Sequence, residues 1–368
     1  MSPSPENDSA QPRAPQKYLG DVGEVRANVR FDEQRLDSWL QSALPDGYRG
    51  PLRVRQFDGG QSNPTYLLET PAHKYVLRRK PPGKLLPSAH AVDREYRVIT
   101  ALYQAGIPVA RSFALCEDEA IIGTAFYIME YVDGRVLWDQ ALPGMAAAER
   151  SAIYAEMNRV IAALHQVDYR AVGLSDYGRP GNYLERQIGR WSKQYRASET
   201  ERIEAMERLI EWLPQHIPSQ DETSIVHGDY RLDNVIFHKS EPRILAVLDW
   251  ELSTLGHPLA DFSYHCMYWR LTPEQFRGLG GLDLHALGIP TEEEYVGMYC
   301  RRTGRARIDN WDYYAAYNMF RLAAICQGIM GRVVDGTAVS EKALESGKRA
   351  RPLAEAGWRE VEKILSKN

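Results

Sequence analysis

The sequence predicts an α+β protein with two lobes: a small lobe with an antiparallel sheet and one main helix, then a larger, mainly helical lobe. Short apolar segments separated by turn residues fill residues 52–77, which is typical of a strand meander. A single helical pattern follows near residues 88–104, and from about residue 145 the chain is mainly helical. We therefore place the small lobe at residues 25–132 and the large lobe at 133–368.

Composition excludes several classes of function. Of the 368 residues, 44% are apolar, enough for a sizeable core, and the formal charge of −4 is far from the basic stripe of a nucleic-acid-binding protein. No apolar run approaches the ~18 residues that a membrane span needs, and the N-terminus lacks the pattern of a secretory signal. Residues 1–24 are rich in polar residues, so we predict a disordered tail. The expected location is cytoplasmic, without nucleic-acid or membrane partners, and the sequence predicts no oligomeric state.

The elements of the small lobe follow from periodicity. Residues 25–48 carry apolar side chains near helical spacing, and a helix is predicted from Ser88, as N-cap, to Gln104. A buried strand at Phe126–Met129 leads into a connection at Glu130–Gly134. The meander consists of three strands, Leu52–Phe57, Thr65–Leu68 and Tyr75–Leu77.

The large lobe combines helices with a few short strands. One or two helices are predicted over residues 184–213, and helices again from about residue 258 to the end. Three apolar segments bounded by polar or turn residues interrupt them and should support loops. They are Ser224–Val226, Asn234–Phe237 and Ile244–Leu248.

The segment VHGDYRLDNV, residues 226–235, carries the strongest chemical pattern in the chain. Asp229 and Asn234 lie five residues apart between two predicted strands, and Asp249 follows the next strand in the segment LDWE. Carboxylate and amide oxygens suit Mg²⁺, which keeps substrate phosphates in its coordination shell. A carboxylate that binds no metal can orient or deprotonate an attacking hydroxyl. The pattern therefore indicates phosphate chemistry at the ends of these loops.

These motifs resemble the aminoglycoside phosphotransferase and choline kinase superfamily, whose pattern is H-G-D-x-x-x-x-N followed by I-D-[WF]-[ED]. The closer resemblance is to the phosphotransferase domains fused to acyl-CoA dehydrogenases and their free-standing bacterial relatives. It rests on three further stretches, Phe57–Tyr66, Tyr75–Arg79 and Met129–Gly134. The resemblance covers roughly residues 50 to 270 and implies a protein-kinase-like two-lobed fold.

The resemblance also implies roles for individual residues in moving the γ-phosphate of ATP or GTP to a small-molecule alcohol. Asp229 becomes the catalytic base or hydroxyl-orienting group, and Asn234 and Asp249 become the Mg²⁺ ligands. The nucleotide-binding residues it implies are Gly59, Gly60, Ser62 and Asn63 in the loop over the phosphates, Arg78 and Glu95 as the phosphate-binding pair, and Glu130 and Val132 in the hinge at the adenine.

Arg78 departs from the superfamily pattern, because most kinases have lysine at this position. Arginine can still pair with Glu95 and contact phosphate bidentately, but it is longer and planar. This leaves open a pseudokinase that binds nucleotide without transfer. A metal-dependent phosphohydrolase is the other alternative, yet it needs several histidine ligands, and no suitable motif precedes His165. His227 and Asp261 are predicted to brace the catalytic loop, and Asp233 to be a solvated or loop-stabilising residue.

The acceptor is predicted to be a neutral or anionic alcohol. Residues 271–368 contain 14 Lys and Arg and 13 Asp and Glu, so this lobe lacks the acidic excess that a polycationic aminoglycoside calls for. The basic cluster at Arg301, Arg302, Arg305 and Arg307 is either a solvated helix end or a contact for an anionic acceptor. The fused relatives favour a hydroxyacyl-CoA, by association only.

Overall fold

The computed structural model describes residues 22–44, 47–58, 63–83, 90–338 and 342–367. Within these ranges the chain forms the two predicted lobes, and the cleft between them holds the candidate site. Four cysteines are buried and free of disulfides: Cys116, Cys266, Cys300 and Cys326. No helix among the described residues is both long and apolar enough to cross a bilayer.

A six-stranded sheet forms the small lobe, with neighbouring strands antiparallel in the order β1-β2-β3-β4-β6-β5. The three strands of the predicted meander are its central part. The elements of this lobe are β1 Val22–Gly23, α1 Glu33–Ala43, β2 Arg53–Phe57, β3 Thr65–Glu69, β4 Lys74–Arg79, α2 Val92–Gln104, β5 Ser112–Cys116, α3 Glu119–Ile122 and β6 Phe126–Glu130.

Two boundaries of the small lobe differ from the prediction. Val22 and Gly23 pair with β2, so the sheet begins inside the segment predicted to be a disordered tail. The main helix begins at Val92, because Ala91 occupies the N-cap position without a side-chain hydrogen bond. Ser88, the predicted N-cap, lies outside the described residues.

Alternation along β4 directs its side chains to opposite faces of the sheet, as strand geometry requires. Tyr75 and Leu77 join the core beneath α1, together with Leu36 and Leu40 of that helix. Arg78 and its neighbour Val76 lie on the other face, which lines the cleft. The pattern of β4 thus places an arginine where the two lobes meet.

Helices dominate the large lobe, and two small antiparallel sheets support its loops. Strand orders are β10-β9-β7 and β11-β8. The elements are β7 Arg135–Val136, α4 Ala147–His165, α5 Tyr183–Ala197, α6 Glu204–Gln215, β8 Ser224–Val226, β9 Val235–Phe237, β10 Ile244–Val247, β11 Thr254–Gly256, α7 Pro258–Cys266, α8 Pro273–Phe276, α9 Leu284–Leu287, α10 Glu292–Thr303, α11 Trp311–Val334, α12 Ala343–Gly347 and α13 Ala350–Leu365.

Candidate active site

A cavity of about 450 Å³ lies between the lobes. Apolar side chains from the sheet, Val76 and Met129 among them, form one wall, and Ile236 and Val247 of the large lobe form the opposite wall. Polar residues from the predicted motifs close one end of this apolar slot. Such a shape, apolar with a few converging polar groups, is typical of a small-molecule site.

Asp229 is held by three neighbouring side chains. Tyr264 Oη donates to Oδ1 over 2.6 Å, and Asn234 Nδ2 donates to Oδ2 over 2.8 Å. Arg231 Nε lies 3.2 Å from the same Oδ2. Burial and the nearby Asp229 charge raise the pKa of Tyr264 well above its usual value, so its hydroxyl remains a donor at neutral pH. The carboxylate is therefore fixed in orientation.

A buried network positions the loop that carries Asp229. Asp261 accepts hydrogen bonds from the backbone N–H groups of His227 and Gly228, each over 2.7 Å, and lies 3.1 Å from His165 Nε2. Burial disfavours its charged form, but the contacts with His165 and His227 outweigh this and lower the pKa of Asp261. The predicted bracing role of Asp261 thus has a clear physical basis.

His227 connects the Asp229 loop to the segment that carries Asp249. Its Nδ1 accepts from the Asp229 N–H over 3.1 Å, so Nε2 carries the proton and donates to Leu248 O over 2.7 Å. Gly228 has a positive φ of 84°, and a side chain there would place Cβ 2.9 Å from Leu252 O. Glycine is required at this position for both reasons.

We expect Asp261→Ala to lower the free energy of unfolding by about 2–6 kcal/mol, because two buried N–H groups lose their acceptor at ~1–3 kcal/mol each. Asp261→Asn keeps one acceptor oxygen, so its free energy of unfolding should fall by about half as much. Because folding lowers the pKa of Asp261, its contribution is fully present above the unfolded value of about 3.9 and is lost as pH falls through the folded value. Urea unfolding followed by circular dichroism measures this. Equal stability of Asp261→Ala and the wild type would contradict the bracing role.

Asn234 and Asp249, the predicted metal ligands, line the same cavity. A backbone hydrogen bond of 2.8 Å from Leu248 N–H to Asn234 O joins their segments. Because Asn234 Nδ2 donates to Asp229, its amide oxygen is the atom left to act as a ligand. Asp249 adopts a left-handed conformation, with φ of 63° and ψ of 63°, two residues after the end of β10. These hard oxygen donors fit Mg²⁺.

Arg78 makes the predicted pair with Glu95, with 2.7 Å between Nε and Oε2. Its Nη2 also donates to Asp249 Oδ1 over 3.0 Å. Burial disfavours the charge on Arg78, but the Glu95 and Asp249 carboxylates outweigh it and raise the pKa of Arg78. Tyr127 Oη supports Glu95 from a distance of 3.2 Å. Arginine therefore occupies the position of the usual lysine with its pairing intact.

The side chain of Asn63 connects the predicted phosphate loop to Glu95. It is fully buried and donates to Glu95 Oε1 over 2.7 Å, while its Oδ1 lies 2.9 Å from His90 Nδ1. These contacts help to orient Glu95, and a phosphate contact by Asn63 stays a prediction. The other predicted members of that loop, Gly59, Gly60 and Ser62, lie outside the described residues.

The predicted hinge lines the cavity at Glu130 and Val132. Glu130 N–H already donates to Arg111 O over 2.8 Å, so Glu130 can offer an adenine only its carbonyl. Among the described residues, the Val132 N–H has no backbone acceptor. One acceptor and one donor two residues apart suit the edge of a purine.

The basic cluster at residues 301–307 lies away from the site. No residue of that range is among the described residues that line the cavity. Arg302 Nη1 donates to Asn158 Oδ1 over 2.5 Å, and Arg305 Nη1 donates to Glu222 Oε1 over 2.7 Å. Arg302 and Arg305 thus make contacts within the lobe, whereas Arg301 and Arg307 are exposed, as expected of a solvated helix end.

Three polar residues of the site escaped the sequence prediction or received another role. Tyr264 follows Asp261 by three residues, one turn along α7, a spacing that could have identified it. Arg231 lies inside the central motif. Asp233 was expected to be solvated or loop-stabilising, but its side chain is only 3% exposed and pairs with Arg231 and Arg277.

Comparisons with known proteins show which family the chain is similar to. The model of the "Phosphotransferase enzyme family" matches residues 53–315. Acyl-CoA dehydrogenase family member 10 of Mus musculus is 49% identical over 337 residues, covering 91% of this chain and 31% of the mouse protein. The chain thus spans less than half the length of the first curated relatives it matches.

Solved structures show the same fold. A Ralstonia eutropha protein named as a candidate aminoglycoside phosphotransferase is 61% identical, with a TM-score of 0.85, covering 91% of this chain and 99% of that one. Choline kinase from Cryptosporidium parvum has a TM-score of 0.62 at 11% identity, covering 91% and 97% respectively. The predicted resemblance and the two-lobed fold are both confirmed.

Proposed function

The chain belongs to the phosphotransferase enzyme family, and on that premise we propose that it is a small-molecule kinase using ATP or GTP. One observation carries the proposal: Asn234 and Asp249 line an apolar interlobe cavity, and Asn234 Nδ2 donates to Asp229 Oδ2 over 2.8 Å, which brings Asp229 beside them. The cavity accepts the nucleotide base between its apolar walls, and the polar end receives the phosphates. A cytoplasmic location remains a prediction from the sequence.

The proposed reaction moves the γ-phosphoryl group to a hydroxyl of the acceptor. The hydroxyl oxygen forms a bond to the γ-phosphorus, the bond from that phosphorus to the β-phosphate oxygen breaks, and the nucleoside diphosphate leaves. Asp229 orients the hydroxyl and takes its proton, because its two oxygens are fixed by Tyr264 and Asn234. Such transfer depends mainly on positioning and charge stabilisation.

Asn234 and Asp249 would hold Mg²⁺ together with the nucleotide phosphates, which complete its oxygen coordination. The ion, when bound, neutralises the charge of the phosphates. Arg78 would contact the phosphates from the small lobe, anchored by Glu95. Among the described residues, no group of three or more His, Cys, Asp or Glu side chains is placed to hold a metal ion. A phosphohydrolase needs such a group, so the donor set favours a kinase.

The acceptor we propose is a neutral or anionic alcohol, with hydroxyacyl-CoA as the candidate that the relatives' names favour. We expect that purified protein with ATP and Mg²⁺ releases ADP only when a suitable alcohol from a panel is present. GTP in place of ATP, in the same assay, identifies the nucleotide. Tight nucleotide binding without transfer to any hydroxyl of the panel would instead support the pseudokinase.

A further inference from the structure

Two arginines and one carboxylate lie at the cavity on the side of the large lobe: Arg231 and Asp233 line it, and Arg277 contacts Asp233 from outside the lining. Arg231 Nη1 lies 3.4 Å from Asp233 Oδ2, and Arg277 Nη2 donates to the same oxygen over 3.3 Å. Arg277 Nη1 also donates to Trp138 O over 3.5 Å. We call Arg231, Asp233 and Arg277 the mouth cluster.

The mouth cluster has unused hydrogen-bonding capacity. Each guanidinium has five N–H donors in a fixed fork, and the contacts of Arg277 lie at the outer limit of hydrogen-bond distance. Arg231 Nε is buried and lacks hydrogen-bond alignment with Asp229, and Asp233 Oδ1 is buried without a partner. Since buried polar atoms are nearly always paired, these atoms indicate a ligand with both acceptor oxygens and a donor.

Charge favours an anion at this position. Arg231 pairs with both Asp229 and Asp233, so Arg277 has to share Asp233 Oδ2, and its positive charge is the less completely compensated of the two. Arginine forks match carboxylate and phosphate groups bidentately. The side chain of Arg277 is 35% exposed, so an entering solute can reach it.

The loop that carries Arg277 is rigid. Gly278 packs so closely that a Cβ there would lie 1.8 Å from Leu271 O, and Leu279 N–H donates to Tyr268 O over 2.6 Å. The glycine cluster at 278–281 therefore fixes the chain beside Arg277. A preorganised donor loses little conformational entropy when it binds a ligand.

The mouth cluster lies on a different side of the cavity from the residues proposed to contact the nucleotide phosphates. Arg78 and Asp249 face the cavity from the side of the small lobe and the β10 loop, whereas Arg277 approaches from α8 of the large lobe. The Arg231 guanidinium spans from Asp229 to Asp233, so it joins the catalytic carboxylate to the mouth cluster. An acceptor can thus place its hydroxyl at Asp229 and a second group at Arg277.

From these contacts we infer that Arg231 and Arg277 form an anion subsite for the acceptor, which is an alcohol bearing a carboxylate or phosphate group. This inference rests on the proposed function and specifies its acceptor class. Arg231 and Arg277 position the substrate, and Asp233 aligns the two guanidinium groups. The subsite replaces the cluster at residues 301–307 as the place where negative charge is recognised.

Binding to the protein with ADP and Mg²⁺ tests the subsite without requiring turnover. The probes are 3-hydroxybutyrate and glycerol 3-phosphate, with 1,3-butanediol and glycerol as their neutral counterparts, and thermal-shift titration gives each dissociation constant. We expect at least one anion to bind about 10- to 100-fold more tightly than its counterpart in the wild type. Whether the hydroxy acid or the phosphate ester shows this preference identifies the anionic group.

Substitutions test whether the mouth cluster causes the preference for anionic over neutral probes. Arg277→Ser should abolish it, Arg277→Lys should restore it only in part because lysine lacks the fork, and Arg301→Ser should match the wild type. Equal binding of charged and neutral probes by the wild type, or an unchanged preference in Arg277→Ser, would overturn the subsite. The subsite would also be overturned if Arg277→Ser bound ADP more weakly while the dissociation constants of the probes stayed unchanged. Failure of the proposed function would appear differently, as absence of ADP binding by the wild type or as absence of transfer from ATP to any alcohol of the panel.

Discussion

Replacing Asp229 with asparagine is expected to reduce phosphoryl transfer by about 10²- to 10⁴-fold, the usual contribution of a general base. The amide keeps the shape of the side chain. It can donate to Tyr264 Oη and still accept from Asn234 Nδ2, so the loop should remain in place. It cannot take the proton of the attacking hydroxyl. Nucleotide affinity should stay nearly unchanged, since Asp229 is not assigned to the metal or to the nucleotide.

The measurement is ADP release with the true acceptor, beside calorimetric nucleotide binding and the melting temperature of each variant. Asp229→Ala should lose transfer to a similar extent. Asp309→Asn is a suitable control, because Asp309 is exposed and pairs only with Arg307 among the contacts described for it. Near-normal turnover in Asp229→Ala would remove Asp229 from the mechanism.

Asp249→Ala should abolish the gain in nucleotide affinity that Mg²⁺ provides. Substituting a residue that hydrogen-bonds to a metal ligand costs about 10–100-fold in metal affinity. Loss of a carboxylate that binds the metal directly should cost at least as much. Affinity without Mg²⁺ should not fall, because Arg78 keeps its pair with Glu95 after losing Asp249. Asn234→Ala should weaken the Mg²⁺ effect less, since an amide gives the ion less charge stabilisation than a carboxylate.

Calorimetric titration with a non-hydrolysable nucleotide, with and without Mg²⁺, measures both variants. Asn234→Ala should also slow transfer, because the hydrogen bond to Asp229 Oδ2 is lost. An Mg²⁺ dependence of Asp249→Ala equal to that of the wild type would place the ion elsewhere.

Apolar patterns in short segments of the sequence predicted most of the strands and helices. The first meander strand alternates apolar and polar residues, and the other two, like Phe126–Met129, are short apolar segments, so all four were identified. Strand β5 was missed, because most of its residues are only half buried and it pairs at the sheet edge with an irregular register. The start of α2 was misplaced because Ala91 provides no side-chain cap that a sequence could show.

For the candidate site too, residues in short motifs could be predicted, and contacts between distant segments could not. Asp229, Asn234 and Asp249 lie in short motifs and could be identified by spacing. Contacts that join distant segments could not, because local spacing does not encode which loops meet in space. Three such contacts join residues far apart in the sequence: Tyr264 and Asp229 are separated by 35 residues, Arg277 and Asp233 by 44, and Arg78 and Asp249 by 171. Only the arrangement of the lobes brings these pairs together.

The most direct test of the central claim is the product itself, followed by ³¹P NMR in a mixture of protein, ATP, Mg²⁺ and the acceptor found by the panel. We expect a new phosphomonoester resonance that grows as the γ-phosphate resonance declines, in the wild type and not in Asp229→Asn. Inorganic phosphate as the sole new product, or the same rate of ester formation in Asp229→Asn, would contradict it.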